Sequence, residues 1–350
     1  MNNHRIARVI ENMRAEGLNQ ILVSAPASVY YLTGAWVEPG ERMLALQVMD
    51  SGDVRLFVNR MFALSGTVDV PLMEFDDTDD CIDLLASHVK PGMLGIDKTW
   101  PSHFTIRLME RRSDVRPVVG SRPVDVARMC KDAEELAWMR KSSRMNVEVC
   151  RRTGESLEAG MTEIEGQELY KRIALAAGAS GPSFTPLICF GANGAEPHHS
   201  SDSTRLKAGD GVILDVGLLW QHYCSDMTRT LFFGACTDEQ RRVHEIVSAA
   251  NRAGIAAARP GAKMKDIDRA ARRVIEDAGY GKYFIHRTGH GIGLEVHEAP
   301  ECSAASEMIA QPGMVFSVEP GIYLPGHFGV RVEDLVAITE DGCEVLTSEA

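Results

Sequence analysis

The sequence contains no Cys-x-x-Cys pair, no long apolar run and no excess of positive charge, and each absence removes a class of protein. Eight cysteines are scattered at positions 81, 130, 150, 189, 224, 236, 302 and 343, which disfavours a disulfide framework or a thiolate zinc site. No stretch is apolar for long enough to span a bilayer. A net charge of −12 disfavours nucleic acid or an anionic membrane as partner. Reduced thiols and the lack of a signal-peptide core predict a cytoplasmic protein.

Length and composition predict two domains. The chain has 350 residues, of which 45% are apolar, more than one typical domain requires. Composition divides near residue 125, so we expect a domain over 1–125 and a second over 126–350. In the first, short β-type runs alternate with helices, which is typical of an α/β domain. The N-terminus predicts an amphipathic helix whose buried face carries Ile6, Val9, Ile10 and Met13.

The last 150 residues contain two copies of one acidic pattern. In residues 209–217 and again in 313–321, an acid lies six residues after a glycine and two residues before another. Each apolar run is followed by a second run with its own acid. The four acids are Asp215 and Asp226 in the first copy and Glu319 and Glu333 in the second.

The spacing of these acids predicts two hairpins that each carry a facing pair. A two-residue turn at positions 220–221 would put Asp215 directly opposite Asp226. A turn centred on Gly326 would do the same for the second pair. Like charges facing each other on a buried sheet repel, so a cation is expected between them. Oxygen-rich clusters suit divalent ions such as Mn, Co or Zn.

Two histidines complete the candidate site. Residues 289–298 surround His290 and His297 with glycines and apolar residues, which allow a close backbone approach and little solvent. We interpret His290 as a metal ligand and His297 as a substrate contact. A single buried histidine is more often a hydrogen-bonded core residue, so this interpretation depends on the whole set.

The ordered set resembles the dinuclear metallopeptidases of pita-bread fold, the group of methionine aminopeptidase, aminopeptidase P and prolidase, with creatinase as a metal-free relative. The resemblance runs from about residue 130 to the C-terminus, through the segments ILDVG, SDMTRT, GHGIGLEVHE, SVEPGIY and GVRVED. Residues 31–34, YLTG, resemble the N-terminal domain of the two-domain prolidase and aminopeptidase P branch. The resemblance implies two divalent ions, Mn first and Co, Zn or Fe as alternatives. Their implied ligands are Asp215, Asp226, His290, Glu319 and Glu333.

The resemblance also implies roles in catalysis. Two bound ions lower the pKa of a shared water from 15.7 towards about 7, which gives a hydroxide that attacks the amide carbonyl. His198, in a Pro-His segment, and His297 would hold the substrate carbonyl and the tetrahedral intermediate. Glu319 would carry the proton from the water to the leaving nitrogen. Arg331, on the same strand face as Glu333, would steady that carboxylate.

A helical repeat supports a duplicated catalytic domain. The glycines that bound residues 160–178 and 261–279 are both eighteen residues apart, and a capping box starts the first of these helices at residues 162–165. The expected fold class is therefore α/β. The repeat predicts two similar αβ halves about a pseudo-twofold axis, and the resemblance implies that they form a pita-bread catalytic domain after a smaller creatinase-type α/β domain.

The substrate is the least determined feature. The two-domain arrangement resembles enzymes that cleave the bond before proline, so Xaa-Pro dipeptides or short peptides are expected. A dipeptidase must hold a C-terminal carboxylate, usually with arginine, yet the segment after His297 is acidic at Glu298 and Glu301. This favours longer peptides, as for aminopeptidase P, or a clamp from elsewhere such as Arg287. A small non-peptide amide and an inactive scaffold are further alternatives, and the family implies a homodimer.

Overall fold

The computed structural model describes residues 1–348, which form two compact units that divide after Arg128. The domain boundary expected at residue 125 stays a prediction. Within the described residues, no helix is both long enough and apolar enough to cross a bilayer.

The first unit is built on a six-stranded mixed sheet in the order β4-β3-β2-β1-β5-β6. Its strands are β1 (Gln20–Val23), β2 (Ala45–Met49), β3 (Val54–Asn59), β4 (Leu72–Phe75), β5 (Gly92–Ile96) and β6 (Val115–Val119). Its helices are α1 (Asn3–Ala15), α2 (Pro26–Thr33), α3 (Cys81–Ala86), α4 (Ser102–Arg111) and α5 (Arg122–Met129), the last of which ends one residue past the division. The buried face predicted for α1 is confirmed, because its four apolar residues are the buried ones.

The second unit repeats one arrangement of helices and sheet. Its helices are α6 (Ala133–Glu155), α7 (Glu163–Ala176), α8 (Asp238–Ala257) and α9 (Met264–Asp277). The strands of its first half are β7 (Leu187–Phe190), β8 (Gly211–Val216), β9 (Leu219–Trp220), β10 (Tyr223–Cys224) and β11 (Met227–Phe232). Those of the second half are β12 (Gly289–Gly291), β13 (Glu298–Cys302), β14 (Val315–Val318), β15 (Gly321–Leu324), β16 (Phe328–Arg331), β17 (Asp334–Ile338) and β18 (Cys343–Val345).

The two halves follow the helical repeat seen in the sequence. In each half a long helix packs against a helix of 14 residues, α6 on α7 and α8 on α9. The capping box of Thr162 and Glu165 is present. Each 14-residue helix is followed by a glycine with positive φ, 91° at Gly178 and 86° at Gly279, a conformation that other residues rarely adopt. The expected α/β fold class is confirmed.

The register of the first acidic hairpin differs from the prediction by two residues. Trp220 pairs with Tyr223, so the turn lies at positions 221–222, and Asp215 lies opposite Thr228. The prediction that Asp215 directly faces Asp226 is therefore wrong. The shift is an even number of residues, so both acids keep the same face of the hairpin, in diagonal positions.

The register of the second hairpin is confirmed. Leu324 pairs with Phe328, which centres the turn on Gly326, and the paired strands β14 and β17 continue the same register. Glu319 and Glu333 follow the ends of β14 and β16 and lie opposite each other in this register.

Candidate metal centre

The strand ends of both halves converge on one cavity of about 470 Å³. That volume suits a small ligand such as a short peptide. All eight residues expected at the site line it, namely His198, Asp215, Asp226, His290, His297, Glu319, Arg331 and Glu333.

The orientation of His290 indicates a cation between it and the carboxylates. Its Nδ1 lies 3.1 Å from the carbonyl oxygen of Gly291, so Nδ1 carries the proton that this contact needs. The lone pair of Nε2 therefore faces acidic oxygens, 3.7 Å from Asp226 Oδ2 and 3.5 Å from Glu319 Oε1. Metal-binding histidines commonly have this arrangement, with the other ring nitrogen donating to a carbonyl.

Two buried carboxylate oxygens support the same conclusion. Among the described residues, Asp226 Oδ1 and Glu333 Oε1 are buried without a hydrogen-bond partner. Leaving a buried acceptor unsatisfied costs about 1–3 kcal/mol, and more when it is charged. Asp226, His290 and Glu333 each offer a ligand atom within 4.8 Å of the others. This oxygen and imidazole set fits Mn, Co, Zn or Fe, although the five-ligand assignment itself stays a prediction.

Burial and mutual repulsion shift the pKa values of these groups. Burial raises the pKa of Asp226 and of Glu333, and the neighbouring carboxylates raise both further. Burial raises the pKa of Glu319 to about 7, although the nearby charge of Arg331 acts in the opposite direction. Burial lowers the pKa of His290 to about 3. Without a cation, burial therefore favours the protonated forms of Asp226 and Glu333, and that of Glu319 below about pH 7.

In the metal-free protein, we expect the contribution of Glu319 to stability to fall as pH rises from about 4.5 to 7. In that window folded Glu319, with its pKa of about 7, keeps a proton that an unfolded glutamate, with a pKa of about 4.3, has released. The stabilising effect of protonation is complete below the unfolded pKa and lost above the folded one. Mn²⁺ should raise the melting temperature more at pH 7 than at pH 5. Melting of chelator-treated wild type and Glu319→Gln at pH 5, 6 and 7 checks this, because the difference between the two isolates the contribution of Glu319. The wild-type melting temperature should fall relative to that of the variant as pH rises, and a constant difference would contradict the expectation.

Arg331 connects the two acidic hairpins. Its Nη2 donates to Asp215 Oδ2 at 2.6 Å, and its Nε donates to Thr228 Oγ1 at 3.1 Å. Thr228 in turn donates to Glu333 Oε2 at 2.7 Å. The sequence predicted that Arg331 would steady Glu333; the structure has it bound to Asp215 directly and to Glu333 through Thr228.

Sequence reasoning missed the residues that hold Arg331. Its Nη1 donates to the hydroxyl of Tyr323 at 3.0 Å, and His286 Nε2 lies 2.8 Å from that hydroxyl. Thr228 and Tyr323 both lie inside segments that carried the resemblance, SDMTRT and SVEPGIY. The sequence of those segments could have pointed to both residues, but only the folded chain shows which side chain each hydroxyl contacts.

The two remaining histidines lie on loops at the cavity. His297 directly precedes β13, and its ring centroid is 4.1 Å from that of His290 at an angle of 71°. Burial lowers the pKa of His297, and the charge of Arg287 lowers it further, so the ring is neutral at pH 7. His198 is exposed on the loop that follows a 3₁₀ helix at Gly191–Ala195. Their substrate-binding roles stay predictions.

Comparison with known proteins agrees with the resemblance. Residues 137–340 match metallopeptidase family M24, and residues 5–130 match the creatinase/prolidase N-terminal domain. An uncharacterized peptidase of Staphylococcus aureus strain USA300 is 33% identical over 351 residues, 98% of each chain. The solved prolidase from Thermococcus sibiricus is similar with a TM-score of 0.95 and 32% identity, covering 100% of this chain and 98% of that one. A dipeptidase from Pyrococcus horikoshii OT3 gives a TM-score of 0.94 and 34% identity, covering 99% and 98%.

Proposed function

Because the chain belongs to metallopeptidase family M24, we propose that it hydrolyses the amide bond before proline in Xaa-Pro dipeptides or short peptides. The observation that carries the proposal is the cavity itself, in which four carboxylates and His290 meet at a volume that suits a small peptide. Similarity over nearly the whole chain to solved structures named prolidase and dipeptidase supports the substrate class.

In this proposal two divalent ions are held by the five predicted ligands, with Mn first and Co, Zn or Fe as alternatives. Such ions, when bound, act as Lewis acids and lower the pKa of a bound water from 15.7 to about 7. Glu319 carries the proton, since a carboxylate beside the bound water can accept its proton and return it to the leaving nitrogen. His297 and His198 donate hydrogen bonds to the substrate carbonyl as negative charge develops on its oxygen.

Arg287 is our candidate partner for the substrate's C-terminal carboxylate. It lines the cavity, and its Nη1 lies 3.8 Å from Glu301 Oε1, with side-chain exposures of 39% and 56%. A dipeptide carboxylate would therefore compete with Glu301 for this cation. A longer peptide carries its carboxylate further away and avoids that competition. The exposed pair of Arg287 and Glu301 would therefore favour longer peptides, which is the substrate preference expected of an aminopeptidase P.

We expect Glu301→Gln to raise kcat/KM for Xaa-Pro dipeptides by about threefold at low salt, the scale of an exposed ion pair worth 0.2–1 kcal/mol. The gain should shrink at high ionic strength and be absent for Xaa-Pro tripeptides. Arg287→Gln should lower the dipeptide value. Glu307→Gln is the matched control, because Glu307 is also an exposed acid paired with cations, Lys263 and Lys265. An unchanged preference between dipeptides and tripeptides in Glu301→Gln would remove this pair from the account of specificity.

One activity panel tests the proposed function. Xaa-Pro dipeptides, Xaa-Pro tripeptides, matched non-proline peptides and small non-peptide amides are offered to the protein with Mn, Co or Zn. Hydrolysis confined to proline peptides and dependent on metal is the expected result. A protein that binds no stoichiometric ion and hydrolyses none of these substrates would instead be a scaffold.

We also propose a homodimer that works in the cytoplasm. The family expectation supports the dimer. The cysteines support the compartment, because all eight lie within residues 1–348 and none forms a disulfide. Sedimentation of the purified chain checks the dimer.

A further inference from the structure

A buried carboxylate outside the cavity organises one of its walls. Glu163 is the first residue of α7, and its side chain is 0% exposed. Each of its oxygens lies within hydrogen-bond distance of two nitrogens. Oε1 accepts from the backbone N–H of Phe190 at 2.7 Å and from Asn193 Nδ2 at 3.0 Å. Oε2 accepts from His199 Nε2 and from the backbone N–H of Asp202, both at 2.9 Å.

This arrangement is a hydrogen-bond centre and not a second metal site. Glu163, His199 and Asp202 do bring potential ligand atoms within 4.8 Å of one another. An ionised carboxylate, however, has about four acceptor positions, and all four are used here by N–H donors. Facing a carboxylate that can only accept, His199 Nε2 must carry a proton, so it offers no lone pair at this point.

All four donors come from one segment, residues 190–202, which also contains His198. The segment is held from its other side as well. A Cβ at Gly329, on β16, would clash with the backbone of Gly194, so only glycine permits this close approach. Strand β16 ends in Arg331. The loop that bears His198 is thus fixed between Glu163 and the strand whose last residue, Arg331, donates to Asp215.

We propose that Glu163 is a positioning residue for His198. It does not line the cavity, and it acts by holding the 190–202 backbone so that the imidazole meets the substrate carbonyl. This inference rests on the proposed function, because His198 has its role there. Misplacement by about 1 Å of a group that contacts substrate can cost about 10²-fold in rate.

The test variant is Glu163→Gln, which keeps the shape but replaces one oxygen by an NH₂ group that faces N–H donors. We expect kcat for an Xaa-Pro dipeptide to fall about 10- to 100-fold, with metal content unchanged and measurements made well below the melting temperature. The matched control is Glu165→Gln. Glu165 lies in the same helical turn, and its side-chain hydrogen bonds within the described residues go to Thr162, which caps the helix. Near-normal kcat is expected there.

A double-mutant cycle separates positioning from general damage. If Glu163 acts through His198, adding Glu163→Gln to His198→Ala should lower kcat by less than about twofold beyond the single His198 variant. Fully additive losses, or a Glu163→Gln enzyme with normal kcat, would overturn the proposal. If Glu163→Gln does not fold, His199→Ala removes one of the four donors and should show a smaller loss of kcat; normal kcat there would equally overturn it.

A substrate-independent measurement keeps this inference distinct from the proposed function. Hydrogen exchange at the backbone amides of Phe190 and Asp202 should accelerate in Glu163→Gln and stay slow in Glu165→Gln. If the exchange rates of these amides are unchanged in Glu163→Gln, the positioning role is wrong, whichever substrate the enzyme uses. If the wild-type protein cleaves no Xaa-Pro peptide, the proposed function is wrong, but the exchange result still tests whether Glu163 holds the 190–202 segment.

Discussion

Asp226→Ala is expected to abolish peptide hydrolysis and to release metal while the fold survives. Supporting residues around metal ligands typically change activity by 10- to 100-fold, so removal of a ligand should cost more than about 10³-fold. Asp226 Oδ1 is buried without a hydrogen-bond partner, so little besides an ion would be lost with this carboxylate. Elemental analysis and initial rates check the two effects.

The fold should survive because Asp226 is a source of repulsion in the metal-free chain. Burial and the charge of Glu333 raise its pKa, so its ionised form is unfavourable there. The metal-free variant should melt at or above the temperature of the metal-free wild type. Glu307→Ala is the control, since Glu307 is an exposed acid that does not line the cavity, and it should keep both metal and activity. An Asp226→Ala protein with both ions and near-normal turnover would refute the site assignment.

His297→Ala should lose about 10²–10³-fold in kcat while keeping its metal, the scale for removal of one oxyanion donor. The ring lies at the cavity next to His290 but outside the cluster of converging ligand atoms. Its lowered pKa keeps it neutral, so one ring nitrogen can donate to the developing oxyanion.

The control for His297→Ala is His327→Ala, in the exposed turn between β15 and β16, which should leave kcat unchanged. Metal content distinguishes a substrate-binding role of His297 from a role as metal ligand. A variant that loses metal would make it a ligand, and one that keeps both metal and full kcat would leave it without a role in the reaction.

The two acidic hairpins show how far sequence reasoning reaches. The second turn is marked by Pro325 and Gly326, and its register is as predicted because Gly326 adopts the positive φ, 76°, that the turn requires. The first turn uses Gln221 and His222 at φ of 51° and 66°, without the Asn-Gly or Asp-Gly signal that usually marks such a turn. The predicted register was wrong there by two residues. Because this shift is an even number of residues, both acids stay on the same face of the hairpin.

Side-chain contacts between segments that are distant in the chain could not be predicted from the sequence. Thr228 meets Glu333 across 105 positions, and Glu163 holds a histidine 36 positions away. In the sequence Glu163 is an ordinary acid in the first turn of a helix, where negative charge is common. Periodicity and capping predict elements and faces, but the partner of a buried polar group follows from packing of the whole unit.

The most direct measurement is a titration of metal-free protein with Mn²⁺ while the initial rates of Ala-Pro and Ala-Ala hydrolysis are recorded. Our account predicts no hydrolysis before metal is added, a rate on Ala-Pro that reaches a plateau at two ions per chain, and little hydrolysis of Ala-Ala. Activity that does not depend on metal, or equal rates on both dipeptides, would contradict it.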